Sequence, residues 1–270
     1  MIYANVCQSF DFVVFGGLSL GAGHTLILKR DGTVWGTGDN TFGQLGIDAI
    51  ENMMITKFVE IFSANAKAVA SGGRHSLVLK QDGSVWCTGR NMYGQLGDGS
   101  NTDRDGFIQV IPSNAKAVAA GAKHSLVVMR DGSVWGTGSN VNGQLGDGST
   151  INRNRFLPVI PDGAEAVAAG SEHSMVLKRD GSVWVTGYNR YGQLGDGTTT
   201  DKTEFVEVID GGAKGIGAGA FHSMVLKQDG SVWVTGSNKY GQFGDGTTTS
   251  EKSFARLPQF GNGARHGTVI

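Results

Sequence analysis

Cysteine, proline, charge and long apolar runs are all scarce in this 270-residue chain. Two cysteines, Cys7 and Cys87, are too few for a disulfide framework or for a zinc site of their own. Four prolines exclude collagen-like or proline-rich linker architecture. Charged residues make up 17% of the chain and sum to −1, so no bulk basic field attracts nucleic acid or an anionic membrane. No run of about eighteen apolar residues occurs, which excludes a hydrophobic membrane-spanning helix. The opening MIYANVCQSFDFVVF has no basic start and is interrupted by Gln8 and Asp11, a poor match to a secretory signal. Asn-x-Ser/Thr acceptors are missing as well, and these features together fit the cytoplasm or nucleus.

What the chain has in excess is glycine, 44 of 270 residues. Each interior glycine costs a helix about 1 kcal/mol relative to alanine, so an α-helical fold is disfavoured. A hydrophobic content of 39% with almost no net charge argues against disorder. The composition predicts a turn-rich, all-β protein.

An internal repeat carries the fold. The tryptophans Trp35, Trp86, Trp135, Trp184 and Trp233 are spaced by 51, 49, 49 and 49 residues. Each follows a histidine by eleven residues, from His24, His75, His124, His173 and His222. The unit reads AVAAGxxHSLVLKxDGSVWxTGxNxxGQLGDGTTT, then FVxVI. A sixth histidine, His266, starts a shortened copy 44 residues after His222. One domain over 1–270 is expected, with repeats at about 18–65, 66–114, 115–163, 164–212 and 213–260 and partial units at 7–15 and 261–270.

Four short strands are predicted per unit. In the third copy they are Ala115 to Ala120, His124 to Met129, Ser133–Thr137 and Phe156–Ile160, the last matching Phe205–Ile209 in the fourth. The Asp-Gly pairs at 31–32, 82–83, 131–132, 180–181 and 229–230 predict type I′ hairpin turns, with positive φ at both central residues. Weak alternation, as in Leu126-Val127-Val128-Met129, is expected where neighbouring sheets cover both faces. Radially repeated four-stranded units of this length describe a β-propeller, with five complete repeats and an incomplete or composite sixth blade.

The marks GxxHS, DGSVW and GQLGDG also resemble the repeats of the regulator of chromosome condensation family, over about residues 7–270. In one departure from the family pattern, Thr37, Thr88, Thr137, Thr186 and Thr235 stand where the family usually places tryptophan. The family's propellers typically close with seven blades, which at this spacing needs about 340 residues. Residues 7–15 match the strand that precedes a repeat, with Cys7 in the place of Phe58. Two outcomes follow: a composite sixth blade built from both ends, or a fragment with open edges, which favours self-association.

Chemistry is harder to find than scaffold. Adjacent His75 and Ser76 would point to opposite faces of a strand, so they cannot form a nucleophile–base pair. The expected role of each histidine is a bond to a neighbouring backbone carbonyl. Dispersed around an axis, the histidines do not converge on a metal. GQLGDGTTT lacks the Lys-Ser/Thr and the helix of a phosphate loop, so its glycines are read as tight turns and close blade contacts. The segment Asn101-Thr-Asp103-Arg-Asp105-Gly106 begins like a calcium loop, but Pro112 stands where glutamate is needed, and a solvated loop is expected. The five tryptophans are assigned to the core, each burying about 150–250 Å². No cofactor is expected.

Function is sought where the copies differ. Before each histidine come Gly73-Arg74, Ala122-Lys123, Ser171-Glu172, Ala220-Phe221 and Ala264-Arg265. After each TGxN come Thr41-Phe42, Met92-Tyr93, Val141-Asn142, Arg190-Tyr191 and Lys239-Tyr240. Aromatics beside cations are what interface hot spots favour. Arg74, Lys123, Glu172, Phe221, Tyr93, Arg190, Tyr191, Lys239 and Tyr240 are therefore the candidate binding residues of a non-enzymatic, protein-binding scaffold. The resemblance also implies an alternative, guanine-nucleotide exchange on a Ran-like small GTPase, which in the family depends on a β-wedge. Intervals of 49 leave no insertion for one, and only the 51-residue interval around Asp48–Thr56 is longer. The plant ultraviolet-B receptors of this family carry sensing tryptophans beside the histidine. Here Gly23, Arg74, Lys123, Glu172 and Phe221 hold that place, which argues against light sensing.

Overall fold

The computed structural model describes residues 15–48, 53–63 and 65–258, and every regular element in them is a β-strand. Twenty strands form five antiparallel meanders, here called sheets 1 to 5. Sheet 1 holds β1 (Phe15–Leu20), β2 (His24–Lys29), β3 (Val34–Asp39) and β4 (Met54–Phe62). Sheet 2 holds β5 (Ala66–Ser71), β6 (His75–Lys80), β7 (Val85–Gly89) and β8 (Arg104–Ile111). Sheet 3 holds β9 (Ala115–Ala120), β10 (His124–Met129), β11 (Val134–Gly138) and β12 (Arg153–Ile160). Sheet 4 holds β13 (Ala164–Ala169), β14 (His173–Lys178), β15 (Val183–Gly187) and β16 (Lys202–Ile209). Sheet 5 holds β17 (Ala213–Ala218), β18 (His222–Lys227), β19 (Val232–Gly236) and β20 (Glu251–Arg256).

The first two strands of the third unit lie where the sequence predicts them, while the others differ. The third strand is shifted by one residue, and the outer strands begin at Arg153 and Lys202 rather than at Phe156 and Phe205. Pairing of Gly138 with Arg153 and of Gly187 with Lys202 carries the ladder past a bulge and lengthens the outer strand. The partial units 7–15 and 261–270 lie outside the described residues apart from Phe15, and so does the composite blade they would form.

The Asp-Gly turns are not of the expected type. Positive φ occurs at the glycine, 83° at Gly32 and 92° at Gly132, while the aspartates are not among the residues with positive φ. Gly32 N donates to Lys29 O at 3.0 Å and Lys29 N to Thr33 O at 2.9 Å, a three-residue loop in which a left-handed glycine ends an ordinary turn. The aspartate instead caps the exit: Asp131 Oδ1 accepts Ser133 N at 2.8 Å and Ser133 Oγ at 2.7 Å. This hairpin also holds the next sheet, because Ala66 N donates to Gly32 O at 3.0 Å and Ala164 N to Gly132 O at 2.9 Å. A Cβ at Gly132 would stand 2.8 Å from Gly163 N, so glycine is required there by space as well as by φ.

The core lies between sheets rather than within one. Leu26, Leu28, Val34, Leu45 and Ile61 of sheet 1 form one buried cluster with Ala66 and Val78 of sheet 2. Equivalent clusters fill each later junction up to sheets 4 and 5. The tryptophans are not the buried core that the sequence suggests, for all five are only half-buried. Trp86 leans on the cluster of the preceding sheet, its ring 6.1 Å from that of Phe62. Its outer face is covered by Lys80 Nζ at 5.6 Å, as Lys29 covers Trp35 at 3.7 Å. The indole N–H accounts for the placement: it donates to the hydroxyl two residues earlier, Ser84 for Trp86 at 3.1 Å, and that hydroxyl sits at the hairpin edge.

Candidate functional site

The histidines do not bond backbone carbonyls directly. His24 Nε2 meets Ser76 Oγ of the next sheet at 2.9 Å, and the same contact joins His75 to Ser125, His124 to Ser174 and His173 to Ser223 at 2.9–3.0 Å. Each serine hydroxyl in turn donates to a glutamine carbonyl of the preceding sheet, Ser76 to Gln44 O at 2.6 Å and Ser125 to Gln95 O at 2.7 Å. With its proton spent on the carbonyl, the serine oxygen can only accept, so the imidazole donates through Nε2–H, and burial keeps the ring neutral. Burial lowers these groups from 6.5 to about 3 in His75 and His173 and to about 4 in His124 and His24, where nearby Asp39 opposes the shift.

A cross-sheet His–Ser pair looks like a nucleophile and its base, but the proton runs the wrong way. The serine gives its hydrogen to a carbonyl, and the histidine is a donor. No hydrogen-bonding group orients the ring from Nδ1 in the four buried imidazoles. The relay is a clasp between sheets, and among the described residues no group of three metal-ligating side chains exists.

The glycine-rich turns are braced in the same manner. Gly97 packs on the Phe156 ring of the next sheet, where a Cβ would approach within 2.5 Å. Asp98 accepts Asn91 Nδ2 at 3.0 Å and Ser100 N at 2.8 Å, and it pairs with Arg104 at 2.6 Å. Burial raises its carboxyl, but these bonds outweigh that and hold it below the usual range. Asn101 to Asp103 lie in the exposed loop that the sequence predicts, Arg104 to Gly106 open β8, and Asp103 Oδ1 accepts Asn91 N at 2.6 Å. Asn91, Asn140, Asn189 and their counterparts were overlooked in the sequence, although TGxN recurs in every copy. Each is fully buried and accepts the amide five residues on, such as Leu96 N at 3.0 Å.

The two variable segments, by contrast, meet on one rim. In sheets 2 to 5 the residue before the histidine packs against the aromatic or amide that follows TGxN in the preceding sheet. The Arg74 guanidinium lies 4.8 Å from the centre of the Phe42 ring, with Arg90 at 4.7 Å. Arg74 also faces Asp39, whose carboxyl stays below its usual range because bonds from Thr41 and the Arg74 charge outweigh burial. Lys123 Nζ stands 5.2 Å from the Tyr93 ring and 3.7 Å from Glu172, and Glu172 accepts Asn142 Nδ2 at 3.1 Å.

Between sheets 4 and 5 the pair is aromatic. The ring centres of Tyr191 and Phe221 are 5.2 Å apart, and Tyr188 completes a cluster at 6.2 and 6.1 Å. Arg190, Lys239 and Tyr240 continue the row, and Tyr240 is 83% exposed with Lys239 Nζ 5.5 Å from its ring. Met92 and Val141, after TGxN in sheets 2 and 3, are exposed apolar residues of the same kind of turn. Ala264 and Arg265 lie outside the described residues. Arg90 and Tyr188 are rim residues that the sequence reading missed. Their signal was the variable position within TGxN, which is Asp39, Arg90, Ser139, Tyr188 or Ser237.

The chain is similar to known proteins at two levels. Locally, the RCC2 homolog of Xenopus laevis is 39% identical over 83 residues, 30% of this chain and 16% of that protein. The ultraviolet-B receptor UVR8 of Arabidopsis thaliana is 33% identical over 88 residues, 32% of this chain and 20% of that receptor. The matches thus span a fifth or less of these relatives. In fold, human WBSCR16 superposes with a TM-score of 0.80 at 23% identity, over 93% of this chain and 69% of that one. Yeast RCC1 (Prp20), crystallised with Kap60, superposes at 0.70 and 18% identity, over 89% of this chain and 74% of that one. The family model described as RCC1-like domain matches residues 5–267, across all five sheets and their repeated clasps, and the chain belongs to that family.

Proposed function

We propose that the chain is a non-enzymatic scaffold that recognises another protein through the Gly-x-x-His rim. The observation that supports this is the row of inter-sheet pairs, in which cations and aromatic rings at variable positions are held against one another on a framework of repeated clasps. A cation over an exposed ring is worth only about 0.5–1 kcal/mol, so the pairs add little to the fold. They do present rigid aromatic and cationic groups at low entropic cost, which is what interface anchors need. The four histidines with strongly lowered acidity are committed to the clasps between sheets, where the proton runs the wrong way for catalysis.

Guanine-nucleotide exchange is the competing reading. Yeast Prp20 has a structure described together with its binding properties to Gsp1p and histones. Against exchange by a wedge, the connections within the described residues hold turns and bends but no inserted hairpin. One experiment separates the readings. Cross-linking mass spectrometry on the wild type and on Arg74→Ala/Lys123→Ala and Tyr191→Ala/Phe221→Ala should find partners cross-linked to the rim and lost from the variants. Partners retained by both variants overturn the rim. Acceleration of nucleotide release from a Ran-like GTPase by trace amounts of the chain would replace the scaffold with the exchange factor.

A further inference from the structure

Along the rim the chain covers its own aromatic rings with cations, except at one junction. Arg74 and Arg90 lie over Phe42 at 4.8 and 4.7 Å, Lys123 over Tyr93 at 5.2 Å and Lys239 over Tyr240 at 5.5 Å. Between sheets 4 and 5, Phe221 stands in the place of Arg74 and Lys123, and Ser237 in that of Arg90. Tyr188 replaces Asp39 and adds a third ring. Among the described residues, no lysine or arginine lies over Tyr188, Tyr191 or Phe221.

The three rings are inclined to one another rather than stacked. Their centres are 6.2, 6.1 and 5.2 Å apart, with planes inclined by 63°, 57° and 51°. Tyr191 is 48% exposed and Phe221 37%, so a ligand can reach them from solvent. The backbone that carries them is fixed. Tyr191 N donates to Gln193 Oε1 at 3.0 Å, buried Asn189 accepts Leu194 N at 3.0 Å, and Phe221 O accepts Ser237 N at 2.7 Å.

The surroundings favour a cation of low hydration. Burial first, then Tyr191, Asp201 and Glu172, push the Tyr188 hydroxyl up, and Arg190 alone opposes them. Both carboxylates are already engaged, Glu172 with Asn142 Nδ2 at 3.1 Å and Asp201 with Asn189 N at 2.7 Å. A bare ammonium brings three N–H donors that must be satisfied, whereas a quaternary ammonium brings none and is attracted by ring faces alone. We propose that Tyr188, Tyr191 and Phe221 receive a trimethylated lysine of the partner protein, whose ammonium takes the part that Arg74 and Lys123 play at the other rings. This rests on the reading of the rim as a protein-binding surface.

The probe is a capped glycine–serine peptide with one trimethyllysine, titrated with the full chain and followed by the proton NMR signal of its methyl groups. That signal should move upfield through ring-current shielding and saturate. The neutral isostere, with carbon in place of the nitrogen, should bind on the order of tenfold more weakly because the cation–π attraction is gone. The unmethylated peptide should also bind more weakly. Tyr191→Ala should abolish the shift and Tyr191→Phe should keep it, while Arg74→Ala/Lys123→Ala should leave it unchanged. Phe221→Lys, which copies Lys123 over Tyr93, should exclude the probe by filling the rings from within, and it decides the matter if Tyr191→Ala unfolds. No shift with the wild type overturns the proposal, as do equal binding of either control peptide and undiminished binding by Phe221→Lys. Arg265 is the one lysine or arginine outside the described residues. Arg265→Ala should not alter the affinity; a gain would mean that the chain's own cation occupies the rings, which overturns the proposal. Partners that still cross-link to the rim while the probe fails overturn this proposal alone. A probe that binds where no rim partner is found overturns the broader reading alone.

Discussion

Sheets 2 to 4 and the two end sheets share one sequence pattern but differ in burial. In β6, β10 and β14, five successive residues are buried, so no alternation survives. In β2, burial alternates, with His24, Leu26 and Leu28 inside. In β18 the phase is opposite, with Ser223 and Val225 inside and Leu226 out. Side chains alternate across every strand, so a strand with a neighbour on one side buries one set and a strand between two neighbours buries both. Burial here is decided by the neighbour, not by the residue.

Acid should produce the largest effect on this comparison. The four clasp imidazoles sit at about 3 to 4, below the unfolded value of 6.5. The unfolded chain therefore takes up protons first. Their contribution is complete above pH about 6.5 and is lost as pH falls from there toward about 4 for His24 and His124 and about 3 for His75 and His173, at up to about 1.4 kcal/mol per imidazole per pH unit. Denaturant melts across this range measure the slope, and proton NMR should find His222, also lowered but more exposed, titrating before the four clasp imidazoles. A flat profile would mean that the clasps are not neutral donors.

Glycine substitutions sharpen the same contrast. Gly143→Ala combines a positive φ of 78° with a Cβ 2.4 Å from Lys202 O, and should cost about 3–5 kcal/mol. Gly241→Ala, at 72° with no atom nearer than 3.8 Å, should cost about 1–2 kcal/mol in dilute solution. Equal losses in urea titrations would place a covering element on sheet 5.

A smaller effect is expected for the half-buried tryptophans. Trp135→Ala should cost about 2–3 kcal/mol, below the usual 3–5 for a fully packed ring. Tyr191→Ala should cost under about 1 kcal/mol. Smallest of all, Arg74→Ala with Lys123→Ala should shift stability by no more than about 0.5 kcal/mol while removing partner binding, and a clear fall in melting temperature would make these residues structural.

The periodicity of histidine, Asp-Gly and tryptophan made the five sheets and most strand positions legible, because those marks encode local turns and ladders. The Asp-Gly turn type was misread because the same dipeptide serves a two-residue loop or the end of a three-residue one. Loop length depends on where the flanking strands pair. At the candidate site, the rim was legible as positions of variation, yet its two segments looked separate. Phe42 and Arg74 come together only when one sheet docks on the next.

By itself the sequence determined the repeat, the all-β class, the glycines that turns require and the positions free to vary. Local backbone preference and period carry that information. Tertiary structure alone decided which serine each histidine clasps, that the tryptophans lie half-buried under lysines, and which residues of the end sheets face outward. Those depend on the docking of one sheet against another, where partners about fifty residues apart in the chain are chosen by geometry rather than by neighbourhood along it.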